Sequence, residues 1–181
     1  MNKKIMAAMA LGVLMVAAIA AYGTYTSPRV SEGLRVTGWV AVTVVRDGLV
    51  IYNYESHNLI TTAGKDYISA QIGSTAPGAN GANYVGLSLD VAAPAAADTI
   101  LAGEIGSGGL GRAQGTYSHT VGTNTYTVQK QFTASATHTG VQKAGLFTAS
   151  AAGTMMAENT FSSVNLVSGD QITITWTITI A

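Results

Sequence analysis

The sequence contains no cysteine, and only 10% of its 181 residues are charged. Without cysteine, disulfide bonds and metal sites with thiolate ligands are excluded. Basic and acidic residues are equal in number, nine of each, so the chain lacks the basic excess typical of a nucleic-acid-binding protein. A weakly charged surface also repels neighbouring copies little. These absences favour a protein that is stabilised by apolar packing and that packs against copies of itself.

The most apolar segment lies at the start of the chain. Lys3 and Lys4 precede an unbroken apolar run over residues 5–21, which ends in small side chains. This order of basic, apolar and small residues predicts a hydrophobic helix over residues 1–21 that acts as a signal peptide, with an uncleaved membrane anchor as the alternative. Both readings predict an extracellular or cell-surface protein.

The next segment, YGTYTSPRVSEG, covers residues 22–33 and has no helical periodicity. It contains a proline and few apolar side chains, which is typical of an extended tail or linker. From residue 34 onward the pattern changes to short runs rich in Val, Ile, Thr and Tyr, separated by turn signals about every ten residues. We therefore predict an all-β domain over residues 34–181, an antiparallel β-sandwich or jelly roll.

Two local signals refine this prediction. Asp47-Gly48 separates LRVTGWVAVTVVR from LVIYNYES, and Asp-Gly between two strand-like runs predicts a hairpin with a type I′ turn. The stretch HNLITTAGKDYISAQIG predicts one short helix, which Thr61 or Thr62 caps. Tyr67, Ile68 and Ile72 would share one face of that helix.

The last run, QITITWTITIA, alternates apolar side chains with threonine over its whole length. Side chains of a strand point alternately to opposite faces, so the apolar set should lie in the core. Such strong β-formers also predict that this strand lies inside a sheet, where one of the flanking strands would come from another copy. The predicted core residues are Ile172, Ile174, Trp176, Ile178 and Ile180.

Two motifs match patterns known for ligand or metal binding, but each has a simpler explanation. GSGGLG at residues 106–111 matches the dinucleotide-binding pattern, but the strand-like RAQGTYSHTV follows it where a helix is required. A glycine-rich loop is the better interpretation. Asp90, Asp98 and Glu104 lie around one loop and have oxygen ligands for calcium, but a solvated loop is the better interpretation. The histidines have no metal-ligand spacing, so we predict no catalytic, cofactor or metal site, and no small-molecule substrate.

A series of short motifs spans about two-thirds of the chain: NLITTAGKDYI, NYVGLSL, GGLGRAQGTYSHT, QKAGLF, GTMMAENTF, VSGD and a closing strand with a tryptophan. This series resembles a group of small β-rich proteins, found among tail-associated structural proteins of tailed viruses and among exported, filament-forming proteins of archaea. The group has no known catalytic residues, so the resemblance implies a structural role. The leader favours the exported members, because a tail protein assembled in the cytoplasm needs no signal peptide.

These observations together predict a structural subunit of an extracellular filament, a pilus or thread. Copies would join by donor-strand complementation, in which an extended segment of one copy completes a sheet of the next. The alternatives are a virion tail or decoration protein and a monomeric, surface-anchored β-sandwich. The membrane would be a partner during export alone. The predicted subunit-interface residues are Tyr22, Tyr25, Val30, Leu34, Val36, Val40 and Val42.

Overall fold

The computed structural model describes residues 33–73 and 81–181, and Leu34–Ala181 form one compact unit. The predicted signal or anchor helix over residues 1–21 lies outside the described residues, as do residues 22–32 of the predicted tail. Within the part of the chain that the structure describes, no helix has both the length and the apolar composition needed to cross a membrane.

The described residues contain strands throughout and a single α-helix. In chain order the elements are β1 (Val36–Arg46), β2 (Leu49–His57), β3 (Leu59–Ile60), α1 (Thr62–Gly73), β4 (Tyr84–Ser88), β5 (Ala113–Gln114), β6 (Thr116–His119), β7 (Thr125–Thr133), β8 (His138–Phe147), β9 (Met155–Leu166) and β10 (Gln171–Ile180). The all-β prediction is confirmed.

The strands form two five-stranded antiparallel sheets in a sandwich-like arrangement. Sheet A has the order β2-β1-β10-β7-β6, and sheet B has the order β3-β9-β8-β4-β5. Buried apolar side chains from both sheets form one main core. On sheet B, Leu101 from the loop after β4 packs with Phe147 and Met155 in a second, smaller cluster. The region between β4 and β5 therefore covers part of sheet B.

Strand β10 lies in the middle of sheet A, between β1 and β7. Trp176 pairs with Val40 on β1 and Val128 on β7, and all three side chains are fully buried. The predicted interior position of this strand is confirmed. Both flanking strands belong to the same chain, so the prediction that one of them comes from another copy is wrong. Ile172, Ile174 and Ile178 are also fully buried.

Ile180 corrects the predicted core. It shares the inward face of β10 but is 36% exposed, whereas Ile178 is completely buried. The reason is its position as the last residue of β10, at the rim of the sandwich, where it lines a groove. The alternation in the sequence predicts correctly which face of β10 a side chain lies on. It does not predict how far the opposite layer of the sandwich covers that face.

Strand β1 corrects the predicted subunit interface. Asp47 and Gly48 have φ angles of 50° and 78°, which confirms the type I′ turn that joins β1 to β2. β1 pairs with β2 on one side and with β10 on the other. Val40 and Val42 are fully buried in the core of their own chain and are not available to a neighbour. The predicted role of these two residues in the interface is therefore wrong.

Helix α1 begins after the side chain of Thr61. The Oγ1 atom of Thr61 accepts a hydrogen bond from the backbone N–H of Gly64 at 2.9 Å, as an N-cap does, and donates to the carbonyl of Met155. Gly64 lies so close to the Met156 carbonyl that a β-carbon would stand 2.1 Å from its oxygen. The cap and this close approach hold α1 against β9, which confirms the predicted helix and its cap.

One ion pair joins two turns at the far end of the sandwich. The guanidinium of Arg46, the last residue of β1, binds both carboxylate oxygens of Asp170 at 2.8 and 2.6 Å. Asp170 also accepts a hydrogen bond from the N–H of Val167, within the turn between β9 and β10. The hydrogen bond from Arg46 is the main reason that the pKa of Asp170 lies below its ordinary value of 3.8.

This lowered pKa predicts a pH dependence of stability. Because the pKa is lower in the folded than in the unfolded chain, its stabilising effect is complete above the ordinary pKa and is lost as the pH falls through the folded value. We expect the free energy of unfolding to fall less steeply below pH 3.8 in an Asp170→Asn variant than in the wild type. Denaturant titrations across acidic pH measure both slopes, and identical slopes would contradict the role of this pair.

Candidate functional site

A groove lies at the end of the sandwich where β1 begins and β10 ends. The inner face of sheet A forms one side of this end groove, and α1 forms the other. It has two adjoining compartments of about 530 Å³ each, which share Val36 and Ile68 in their walls. One is almost entirely apolar, and the other, the polar compartment, has both polar and apolar walls. The apolar compartment is lined mainly by Val36, Tyr67, Ile68, Ile72, Tyr117, Tyr126, Met156, Ile178 and Ile180.

The apolar compartment exists because sheet A carries large inward-facing side chains up to its edge. Tyr117 on β6 pairs with the buried Val128 of β7, so both side chains point to the inner face. Even so, Tyr117 is 56% exposed, and its ring lies 5.6 Å from that of Tyr126. Burial raises the pKa of Tyr126 above its ordinary value. Apolar surface is thus partly exposed on the face that elsewhere forms the core.

The polar compartment is formed around the start of β1 and the connection from β2 to β3. Asn58 lies in this connection, and both polar atoms of its side chain are buried without a hydrogen-bond partner among the described residues. Gly38 approaches so closely that a β-carbon there would stand 2.8 Å from the amide oxygen of Asn58. The amide is thus enclosed against the start of β1 and bonds to none of the described residues.

In the described part of the chain, a free strand edge lies beside the apolar compartment of this groove. β6 is the last strand of sheet A on that side, and all four of its residues are exposed. β2 ends the other side of sheet A, but its inward-facing Tyr52 already donates a hydrogen bond to the carbonyl of Ser162 on β9. In sheet B, Ile105 donates its N–H to the carbonyl of Leu87 and so covers the edge of β4. β6 therefore combines a free edge with adjacent apolar surface.

The predicted interface residues fall into three groups. Leu34 and Val36 line the end groove, and Val36 contributes to both compartments. Val40 and Val42 lie in the core, as described above. Tyr22, Tyr25 and Val30 lie outside the described residues. Tyr117, Tyr126 and Ile72 were missed as groove residues, because the periodicity of a strand or a helix places a side chain on a face without indicating whether another layer covers it.

The other two sequence motifs have structural explanations in this part of the chain. Residues 106–111 form a loop that leads into β5, and Gly109, with a φ of 82°, lies against the carbonyl of Thr133. Glu104 pairs with Arg112 and does not join Asp90 and Asp98. Within the described residues, no group of three or more His, Asp or Glu side chains has a geometry that holds a metal ion.

Comparison of this chain with protein-family models, with curated proteins and with solved structures finds no match. The resemblance drawn from the sequence motifs is therefore a prediction, and the geometry of the molecule carries the functional interpretation.

The unpartnered amide of Asn58 generates a prediction about stability. A buried polar group without a partner costs about 1 to 3 kcal/mol, and leucine has nearly the same shape as asparagine without that cost. We expect Asn58→Leu to raise the free energy of unfolding of the unassembled protein by about 1 kcal/mol. Chemical denaturation at low protein concentration measures this, and a destabilisation of similar size would show that the amide already has a partner.

Proposed function

We propose that the protein is the structural subunit of an extracellular filament whose copies join by donor-strand complementation. The observation that carries this proposal is the apolar compartment of the end groove beside the free edge of β6. A strand added to β6 would gain main-chain hydrogen bonds, and its inward side chains would cover Tyr117 and Ile180. Apolar surface with this geometry suits an extended peptide better than a small polar substrate.

The donor segment in this proposal is residues 22–33. The hairpin with β2 and the pairing with β10 retain β1 within its own chain, so the segment before β1 is left as the donor. In an extended conformation Tyr22 and Val30 would share one face and Tyr25 would lie on the other. Tyr22 and Val30 would enter the apolar compartment of the next copy, which keeps the sequence-based prediction for these residues as part of the proposal.

The reach of this segment permits contact with a neighbouring copy. The eleven residues 22–32 span about 36 Å when extended, more than the width of a five-stranded sheet at about 4.8 Å per strand spacing. A segment that leaves one copy and enters a different surface of the next makes a heterologous contact, which propagates as a fibre unless it closes. The low content of charged residues reduces the repulsion between copies along such a fibre.

A charge placed in the apolar compartment tests this function. Ile72 is 66% exposed on α1, so Ile72→Glu should leave the fold intact but desolvate a carboxylate whenever a donor strand enters the groove. We expect this variant to stay monomeric at concentrations at which the wild type forms filaments. Electron microscopy and sedimentation velocity, with thermal unfolding of the monomer as a check on folding, measure both effects.

Two matched variants make the result specific. Val91→Glu changes a side chain that is 79% exposed on the loop after β4, away from the groove, and should assemble normally. Val50→Glu changes a side chain that is 63% exposed on β2 and tests whether that edge is the acceptor instead. Normal filaments from Ile72→Glu, or a wild type that remains monomeric or forms closed dimers at high concentration, would contradict the proposed function.

A further inference from the structure

A buried amine and a buried carboxyl lie next to each other on the outer face of sheet B. Lys143 on β8 and Glu158 on β9 have side chains that are 3% and 1% exposed. Glu158 pairs with Gly145, two residues after Lys143, so both side chains point to the same face of the sheet. The region between β4 and β5 covers them. Lys143 and Glu158 are thus shielded from water, and neither of them lines the end groove.

A second carboxyl touches the amine directly. Lys143 pairs with Ser88 at the end of β4, and Asp90 follows two residues later. The Nζ atom of Lys143 donates a hydrogen bond to Oδ2 of Asp90 at 2.6 Å, and Oε2 of Glu158 lies 3.8 Å from the same nitrogen. The amine and the Asp90 carboxyl are therefore held within reaction distance by three paired strands and the loop that follows β4.

The surroundings favour a protonated Glu158. Burial, with a smaller effect of a hydrogen bond to Asp98, raises the pKa of Glu158 to about 7. That hydrogen bond is also the main reason that the pKa of Asp98 is lowered, as expected if Glu158 donates and the Asp98 carboxylate accepts. The backbone N–H of Ala95 donates to both carboxyl groups and fixes their positions. Lys143, Asp90, Asp98 and Glu158 thus form a cluster with a proton available beside the amine.

We propose that Lys143 and Asp90 form an intramolecular isopeptide bond, with Glu158 as the proton carrier. The ammonium of Lys143 first gives one proton to the Asp90 carboxylate, and the neutral amine attacks Cγ of Asp90. The new C–N bond forms as the C–O bond to the protonated oxygen breaks. Glu158 gives its proton to the departing hydroxyl, which leaves as water, and takes up the second proton lost by the amine nitrogen. One ammonium and one carboxylate become one amide and one water molecule, with no oxidant or reductant.

Burial explains why this reaction is favoured here and not between the same groups in water. In water, hydration stabilises the separate ammonium and carboxylate and opposes their condensation. In the cluster that hydration is largely lost, and ion pairs removed from water are costly to maintain. The amide carries no charge and retains a donor and an acceptor for the surrounding backbone. The bond would also join β8 covalently to the segment after β4 in every copy.

Mass spectrometry of the denatured wild-type protein tests the bond directly, because a salt bridge dissociates in denaturant and an amide does not. We expect an intact mass lower by one water molecule than that calculated between the termini identified in the same sample. Proteolytic digestion should yield a branched peptide that contains Lys143 and Asp90. A wild-type protein at full mass, or a deficit located in other residues, would overturn the proposal.

Three variants assign the roles. Lys143→Met removes the amine and Glu158→Gln removes the proton carrier at nearly constant size, so both should show the full calculated mass. Lys65→Met removes an exposed lysine on α1 and should keep the deficit. A deficit retained in Lys143→Met would overturn the bond, and one retained in Glu158→Gln would overturn the role of Glu158. The wild-type peptides decide the existence of the bond even if a variant fails to fold.

Discussion

The pairing of β10 with both β1 and β7 is the constraint on which the rest of the structure depends. It places Trp176 between Val40 and Val128 and aligns the inward-facing apolar side chains of β1, β10 and β7 along one side of the core. A one-residue shift of this register would turn every isoleucine of β10 outward and every threonine inward. Because β1 is paired with β10 and β2 of its own chain, the link between copies in our proposal comes from the segment before β1.

The same pairing creates the end groove. The inward faces of β1, β10 and β7 continue to Val36, Ile180 and Tyr126, where α1 stands opposite them. At this rim the apolar side chains that form the core elsewhere are partly exposed. A chain segment that covers them would gain hydrophobic stabilisation without any change in the body of the domain. The polymer in our proposal is thus an extension of the core of each copy by a segment of another.

Much of the fold follows from local rules that act along the sequence. The period-two alternation of β10, the Asp47-Gly48 turn and the Thr61 cap each depend on neighbouring residues, so they could be predicted. The order of strands within the sheets depends on contacts between distant segments, and for that reason the sequence alone predicts Val40 and Val42 in the subunit interface. Ile180 was assigned to the core because alternation does not show where the opposite layer ends.

The candidate sites were less predictable than the fold. Lys143 and Glu158 each interrupt an apolar run, in VQKAGLF and MMAENTF, and a charge in such a run is a signal that sequence reasoning could have used. Their contact with Asp90 depends on the pairing of β4, β8 and β9, and no local sequence pattern predicts which strands pair. The end groove depends in the same way on α1 facing the rim of sheet A.

The absence of cysteine permits one direct measurement of the central claim, that the segment before β1 of one copy occupies the end groove of the next. Two variants, Val30→Cys and Ile72→Cys, are prepared separately, mixed in equal amounts and allowed to assemble under oxidising conditions. A disulfide requires the two β-carbons to lie about 4 Å apart, so it reports close contact. We expect a disulfide-linked pair with one copy of each variant, identified by its mass. Filaments that form without this mixed pair would contradict the claim.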